Sequence, residues 1–201
     1  MSRAATFSWR LLTSTELTRV YLDEMRRDFP RTELKPLSMI LNGEASGAGH
    51  TWGVFDGDTL AAYLVMVRPE GCRASLLDYF AVVPAYRASG IGTDLLAALP
   101  AHEQDAEVIL IEAELPDRAE DSAMAERRLG FYARCGALDT DWTEYFIEAW
   151  FCILALPRAG QGVDVDRAIE ALRECYSSVI SPAEMEKYIH FYPPHSAEAQ
   201  E

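Results

Sequence analysis

The chain is poor in positive charge. Lysine and arginine together number 18 against 32 aspartates and glutamates, a formal net charge of -14 over 201 residues. A nucleic-acid-binding surface needs a basic footprint, so that class is disfavoured. An acidic protein instead steers cationic partners toward itself, or simply stays soluble. Cysteine is also scarce. The four, at 72, 135, 152 and 175, form no C-x-x-C pair. No histidine stands at zinc spacing from another ligand, so neither a metal site nor a disulfide framework is expected. Long apolar runs are missing too: none reaches the roughly 20 residues of a membrane helix. The N-terminal "MSRAATFSWRLL" has no signal-peptide pattern. These absences point to a cytoplasmic protein with no membrane and no nucleic-acid partner.

What is present is an ordinary globular composition, 49% apolar and 25% charged, long enough for one well-filled core. "TFSWRLL" alternates as a strand. "TSTELTRVYLDEMRRDF" has helical spacing, with Thr13 or Ser14 as cap and Pro30 as stop. A short helix is expected from Pro36. "HTWGVFD" and "DTLAAYLVMVRP" flank "DGD", a hairpin signal. Residues 74–83 and 107–115 are apolar on both faces and read as central strands. Helices are expected at about 90–100 and from Pro116 to Gly136, and two further strands at about 137–142 and 148–156. The tail holds two amphipathic helices, "DVDRAIEALRECYSSVI" and "SPAEMEKYIHFY". The order implies an α/β fold: a mixed, mostly antiparallel sheet of about seven strands with helices on both sides. The division expected is 1–157 as the main domain and 158–201 as a C-terminal helical extension, packed on that domain or at a subunit interface. A homodimer stays open.

The sharpest motif is "AVVPAYRASGIGTDLL", where a buried strand meets a helix. A helix N-terminus exposes unpaired N–H groups and a partial positive charge, so it attracts phosphates. Glycines let the backbone approach such a ligand, and Arg87 adds a fixed cation. The spacing matches neither a P-loop nor a dinucleotide-binding fingerprint. A tight structural turn is the plain alternative. The stretch, with Val82, Pro84, Tyr86, Arg87, Gly90, Ile91, Gly92, Leu95 and Leu96 in order, resembles the acetyl-CoA signature of the GNAT superfamily of N-acetyltransferases. The later "FYARCGA", with Phe131, Tyr132 and Gly136, resembles that family's second motif.

The resemblance implies an N-acetyltransferase that uses acetyl-CoA as co-substrate, needs no metal, and acts on a small-molecule or peptide amine. It implies that the strands at 74–83 and 107–115 part. The pantetheine arm would then pair with the backbone of Phe80, Ala81 and Val82. The pyrophosphate would lie on the amides of Ala88, Ser89, Gly90, Ile91, Gly92 and Thr93, beside Arg87. Tyr132 is implied as the acid that protonates the leaving thiolate. Ala125 stands where the family often has an asparagine, so a coenzyme contact is lost there. Glu112 and Glu114 lie two apart on one strand and so face one way. Burial and mutual repulsion would raise one of their pKa values, as a base needs. By resemblance Glu112 is that base, with Glu114 and Asp78 as other candidates. A structural reading pairs the two glutamates with Arg127 or Arg128. Asp28, Glu33, Asp141, Glu144 and Glu148 make the expected acceptor segments acidic, which suits a cationic amine. A non-catalytic acyl-CoA sensor is the alternative function.

Overall fold

The computed structural model describes residues 7–31, 33–146 and 148–194. Eight strands form one sheet. They are β1 (Ser8–Leu11), β2 (Gly49–Asp56), β3 (Thr59–Val67), β4 (Ala74–Val82), β5 (Val108–Glu114), β6 (Leu138–Phe146), β7 (Ala149–Pro157) and β8 (Ile189–Tyr192). Their order is β1-β2-β3-β4-β5-β7-β6-β8. Every neighbouring pair is antiparallel except β4 and β5, which run parallel. The mixed, mostly antiparallel sheet is therefore the one expected, with an eighth strand added.

That extra strand corrects the reading of the tail. "SPAEMEKYIHFY" was expected to be helical throughout. The helix covers only Pro182–Tyr188, capped by a reciprocal Ser181–Glu184 box. Ile189–Tyr192 then pairs with β6. Alternating Ile189 and Phe191 bury one face of an extended segment, and the sheet edge supplies its hydrogen-bond partners. A second correction concerns Pro116. It opens a single 3-10 turn, Pro116–Arg118, and the helix starts later, at Ser122, where Asp121 accepts from the Met124 amide.

The first helix, α1, runs as Ser14–Val20, passes through a π-helical stretch, Tyr21–Met25, and ends as Arg26–Asp28. Thr13 and Glu16 cap it reciprocally. With α2 (Leu37–Ser46) it covers Tyr63, Val65 and Tyr79 on one face of the sheet. The other face carries α3 (Ile91–His102) and α4 (Ser122–Arg134). Leu95, Leu96 and Leu99 of α3 are wholly buried there. Each contributes on the order of 2 kcal/mol of hydrophobic stabilisation. The tail helix α5 (Val165–Ser177) returns to the α1–α2 face. Its Ile169, Leu172, Cys175 and Tyr176 pack on Leu76, Leu110 and Ile153, beside α6 (Pro182–Tyr188). Among the described residues no helix is long and apolar enough to cross a membrane.

One buried acid ties the closed end of the sheet together. Glu103, at the end of α3, is 3% exposed. It accepts from Ser75 Oγ at 2.6 Å and Trp52 Nε1 at 2.8 Å, and His50 Nε2 lies 2.7 Å away. Burial opposes its charge, but these partners more than offset burial and hold its carboxyl at about 2. An unfolded glutamate titrates at about 4.3. The stability this group supplies, about 2–3 kcal/mol, is therefore complete above that value and lost as pH falls toward 2. Glu103→Gln should lower the unfolding free energy by that amount at pH 7 in urea titrations. The difference from the unmodified protein should shrink steadily in titrations at lower pH.

Candidate active site

A bulge in β4 sets the site. Val65 of β3 pairs with Tyr79 and Met66 with Leu77, so Asp78 has no partner on that side. The extra residue turns both Asp78 and Tyr79 toward the α1–α2 face, while Leu77 and Phe80 face α3 and α4. Bulges bend a strand and increase its twist. On the other edge, β4 pairs with β5 only from Ala74↔Val108 to Leu77↔Ile111. Beyond those pairs the strands part, as the sequence led one to expect. Phe80, Ala81 and Val82 line one side of the gap, and Glu112 to Glu114 the other.

The strand–helix loop closes the α3 end of this gap. Ala88 and Gly90 have left-handed backbones, with φ of 58° and 83°. Among the described residues, the amides of Ala88, Ser89, Gly90, Ile91 and Gly92 donate to no backbone carbonyl. The Thr93 amide is used, donating to the Gly90 carbonyl. Five N–H groups around the start of α3 are thus left without a backbone partner, and unpaired N–H groups at a helix start attract anions. A Cβ on Gly92 would sit 3.3 Å from Phe131, so glycine there lets α3 and α4 pack closely. Arg87 is half exposed and already engaged. Its Nε donates to the Val82 carbonyl at 2.8 Å, and its guanidinium pairs with Asp28 at 2.5 Å. Asp28 in turn accepts from Tyr63.

Tyr132 packs on the α3–α4 side against Phe131. Among the described residues its hydroxyl has no hydrogen-bond partner in the structure. Burial pushes the phenol up to about 12, with the Arg128 charge opposing, so it is protonated at neutral pH. Arg128, one turn earlier on α4, lies 3.7 Å from Glu114 and 4.0 Å from Glu33. The structural reading of the glutamate pair thus holds for Glu114 alone. Arg127 contacts only Met124 among the described residues. Ala125 is buried in the helix packing.

Glu112 has different company. Its carboxylate accepts from Tyr176 Oη at 2.7 Å. Burial raises its pKa, opposed by Glu144, the Lys35 charge and the Tyr176 hydroxyl. Glu144, on β6, is fully buried, and neither of its oxygens has a hydrogen-bond partner. Burial first, then the Glu112 charge, pushes its pKa well up. The two carboxyls titrate as a pair, with Glu144 the harder to ionise. Lys35, in the loop between α1 and α2, pairs with Asp78 at 2.6 Å, and its ammonium lies 5.5 Å from the ring centres of Phe146 and Tyr176. Tyr79 pins this loop: its hydroxyl donates to the Glu33 carbonyl and accepts from the Lys35 amide. Tyr21 donates to the Lys35 carbonyl.

The structure therefore brings together Glu112, Asp78 and Glu144 on one side of the gap and places Tyr132 on the other, with Glu114 beside Arg128. Asp141 and Glu148 are exposed, away from this group. Sequence reasoning did not find Lys35 or Tyr176. Lys35 was one cation beside an apolar run. Tyr176 lay on the apolar stripe of an amphipathic helix, where aromatic residues usually only pack.

The match to known proteins fits this geometry. Residues 47–136 match the family model described as acetyltransferase (GNAT) domain. No curated protein matches the sequence. Among solved structures, the ribosomal-protein-S18-alanine N-acetyltransferase of Escherichia coli is similar at a TM-score of 0.58 and 18% identity, over 79% of this chain and 97% of that one. A putative acetyltransferase from the GNAT family of Bacteroides thetaiotaomicron reaches 0.59 and 21%, over 83% and 94%. The spermidine N-acetyltransferase of Vibrio cholerae, solved with CoA and spermine, reaches 0.58 and 10%, over 77% and 97%. At such identities the likeness is one of fold.

The buried ion pair generates a prediction. Lys35→Met should lower the unfolding free energy by about 3 kcal/mol, because it strands Asp78 in a dry site. In an Asp78→Asn background the same change should cost much less, as a urea-unfolding double-mutant cycle would read.

Proposed function

Because the chain carries a GNAT acetyltransferase domain, and is by that an acyltransferase, we propose that it transfers an acetyl group from acetyl-CoA to a primary amine by direct attack. Acetyl-CoA is a substrate here, not a resident group. The observation that carries the reading is the gap between β4 and β5, with a phosphate cradle at one end and a carboxylate on one side. The amides of 88–92 suit the pyrophosphate, and Arg87 can join them by exchanging Asp28 for a phosphate oxygen. The exposed backbone of Phe80 to Val82 suits the amide groups of the pantetheine arm.

An amine is mostly protonated at neutral pH, and only its lone pair attacks a thioester. Glu112 takes the proton, directly or through water. Its raised pKa suits that task better than an ordinary carboxylate would. The nitrogen attacks the thioester carbonyl, a tetrahedral intermediate forms, and the carbon–sulfur bond breaks. Tyr132 gives its proton to the departing thiolate. Its hydroxyl, protonated at neutral pH and free of other partners among the described residues, supports the role. Glu114, held by Arg128, shapes the mouth of the gap.

A cationic amine suits the acceptor side. Glu33, Glu114 and the charge shared by Glu112 and Glu144 give it a negative field that Lys35 only partly offsets. The fold is shared with a spermidine N-acetyltransferase and a ribosomal-protein-S18-alanine N-acetyltransferase. We place the reaction in the cytoplasm, in keeping with a chain of few cysteines.

The test is thiol release from acetyl-CoA against a panel of polyamines, amino acids, aminoglycosides and peptide N-termini. Glu112→Gln should lose at least a hundredfold in kcat on the preferred amine. Tyr132→Phe should lower kcat by about ten- to a hundredfold while acetyl-CoA affinity, by calorimetry, stays within about twofold. For the unmodified protein, kcat/KM should fall with pH through a midpoint above the ordinary carboxylate range, where Glu112 gains a proton. Tight acetyl-CoA binding with no turnover on any amine would return the reading to a sensor.

A further inference from the structure

Tyr176 comes from outside the matched domain. It sits on α5, beyond residue 157, yet its hydroxyl donates to Glu112 at 2.7 Å. The contact is not incidental. Tyr176 is 1% exposed, and its ring is held edge-on by Phe146 and Phe191. Its helix is anchored by Ile169, Leu172 and Cys175 on the sheet. The hydrogen bond this firmly fixed phenol donates goes to Glu112. Glu144 lies on the same face of the sheet, across β7 and level with Glu114. Both its oxygens are buried without a hydrogen-bond partner.

We propose that Tyr176 is a positioning residue for Glu112, so that the segment after residue 157 completes the catalytic apparatus. This rests on the reading of Glu112 as the base. Tyr176 fixes one carboxylate oxygen. A lone pair of Glu112 is left for the acceptor. The step is a proton transfer only. An N–H bond of the acceptor ammonium breaks, an O–H bond forms on Glu112, and the nitrogen keeps the electron pair. The other titratable groups facing Glu112 are Lys35 from the α1–α2 loop, Asp78 from β4 and Cys175 from α5. Glu114 lies next on its own face of β5. None of these donates a hydrogen bond to it.

The Tyr176 hydrogen bond stabilises the ionised form of Glu112, so removing it should raise the titration midpoint. The experiment is a carbon-13 NMR titration of the full chain labelled at glutamate side-chain carboxyls. Glu112→Gln assigns the Glu112 signal by its disappearance. In Tyr176→Phe the midpoint should rise by about one pH unit, the value of one hydrogen bond to a charged group. A midpoint unmoved in Tyr176→Phe would overturn the inference. The reading of the base is tested separately by turnover. Full activity in Glu112→Gln removes the base, and with it the catalytic meaning of any NMR shift. Loss of activity there, with midpoints that do not move, removes the positioning role alone.

Discussion

Everything at the site depends on where β4 stops pairing with β5. Four register pairs hold the two parallel strands together, ending at Leu77↔Ile111. The next residue, Asp78, is the one that β3 also leaves unpaired. A bulge and a parting of strands at the same residue have one origin. An extra residue increases the local twist, and a twisted strand diverges from a straighter neighbour. The divergence exposes backbone polar groups in the middle of a sheet, where they would ordinarily be satisfied. A fold can leave them open only where a ligand or water meets them.

The bulge also builds the acidic side of the gap. By turning two successive residues to one face, it presents Asp78 to Lys35 and the Tyr79 hydroxyl to the loop backbone. The loop between α1 and α2 is thereby tied to the strand that opens. Lys35 then offsets part of the charge gathered by Asp78, Glu112 and Glu144. Three carboxyls around one ammonium in a dry site resist joint ionisation. Glu144, whose oxygens have no hydrogen-bond partner, is the hardest of them to ionise.

Much of this was legible in the chain. The glycine loop announced itself because left-handed backbone and a helix start leave local marks, and φ at Gly90 is 83°. The common facing of Glu112 and Glu114 followed from the period of a strand, whatever the fold. Their fates did not follow. Arg128 took Glu114, while Glu112 went under Tyr176, and both partners are distant in sequence. The tail was misread in part for a similar reason. "YIHFY" continues a helical stripe well enough, but the open edge of β6 supplied a better set of backbone partners.

The sequence by itself determined the local features: caps, hairpin, the glycine-rich strand–helix loop, the buried central strands and the pair of carboxylates on one of them. These depend on bonding between neighbours and on short periods. Only the tertiary structure decided which carboxyls are buried together, where Arg87 and Lys35 find their counter-charges, and that a tyrosine after residue 157 reaches Glu112. Those outcomes are set by burial and by contacts between segments tens of residues apart. Electrostatic free energy depends on distance and on the exclusion of water. Neither quantity exists until the chain is folded.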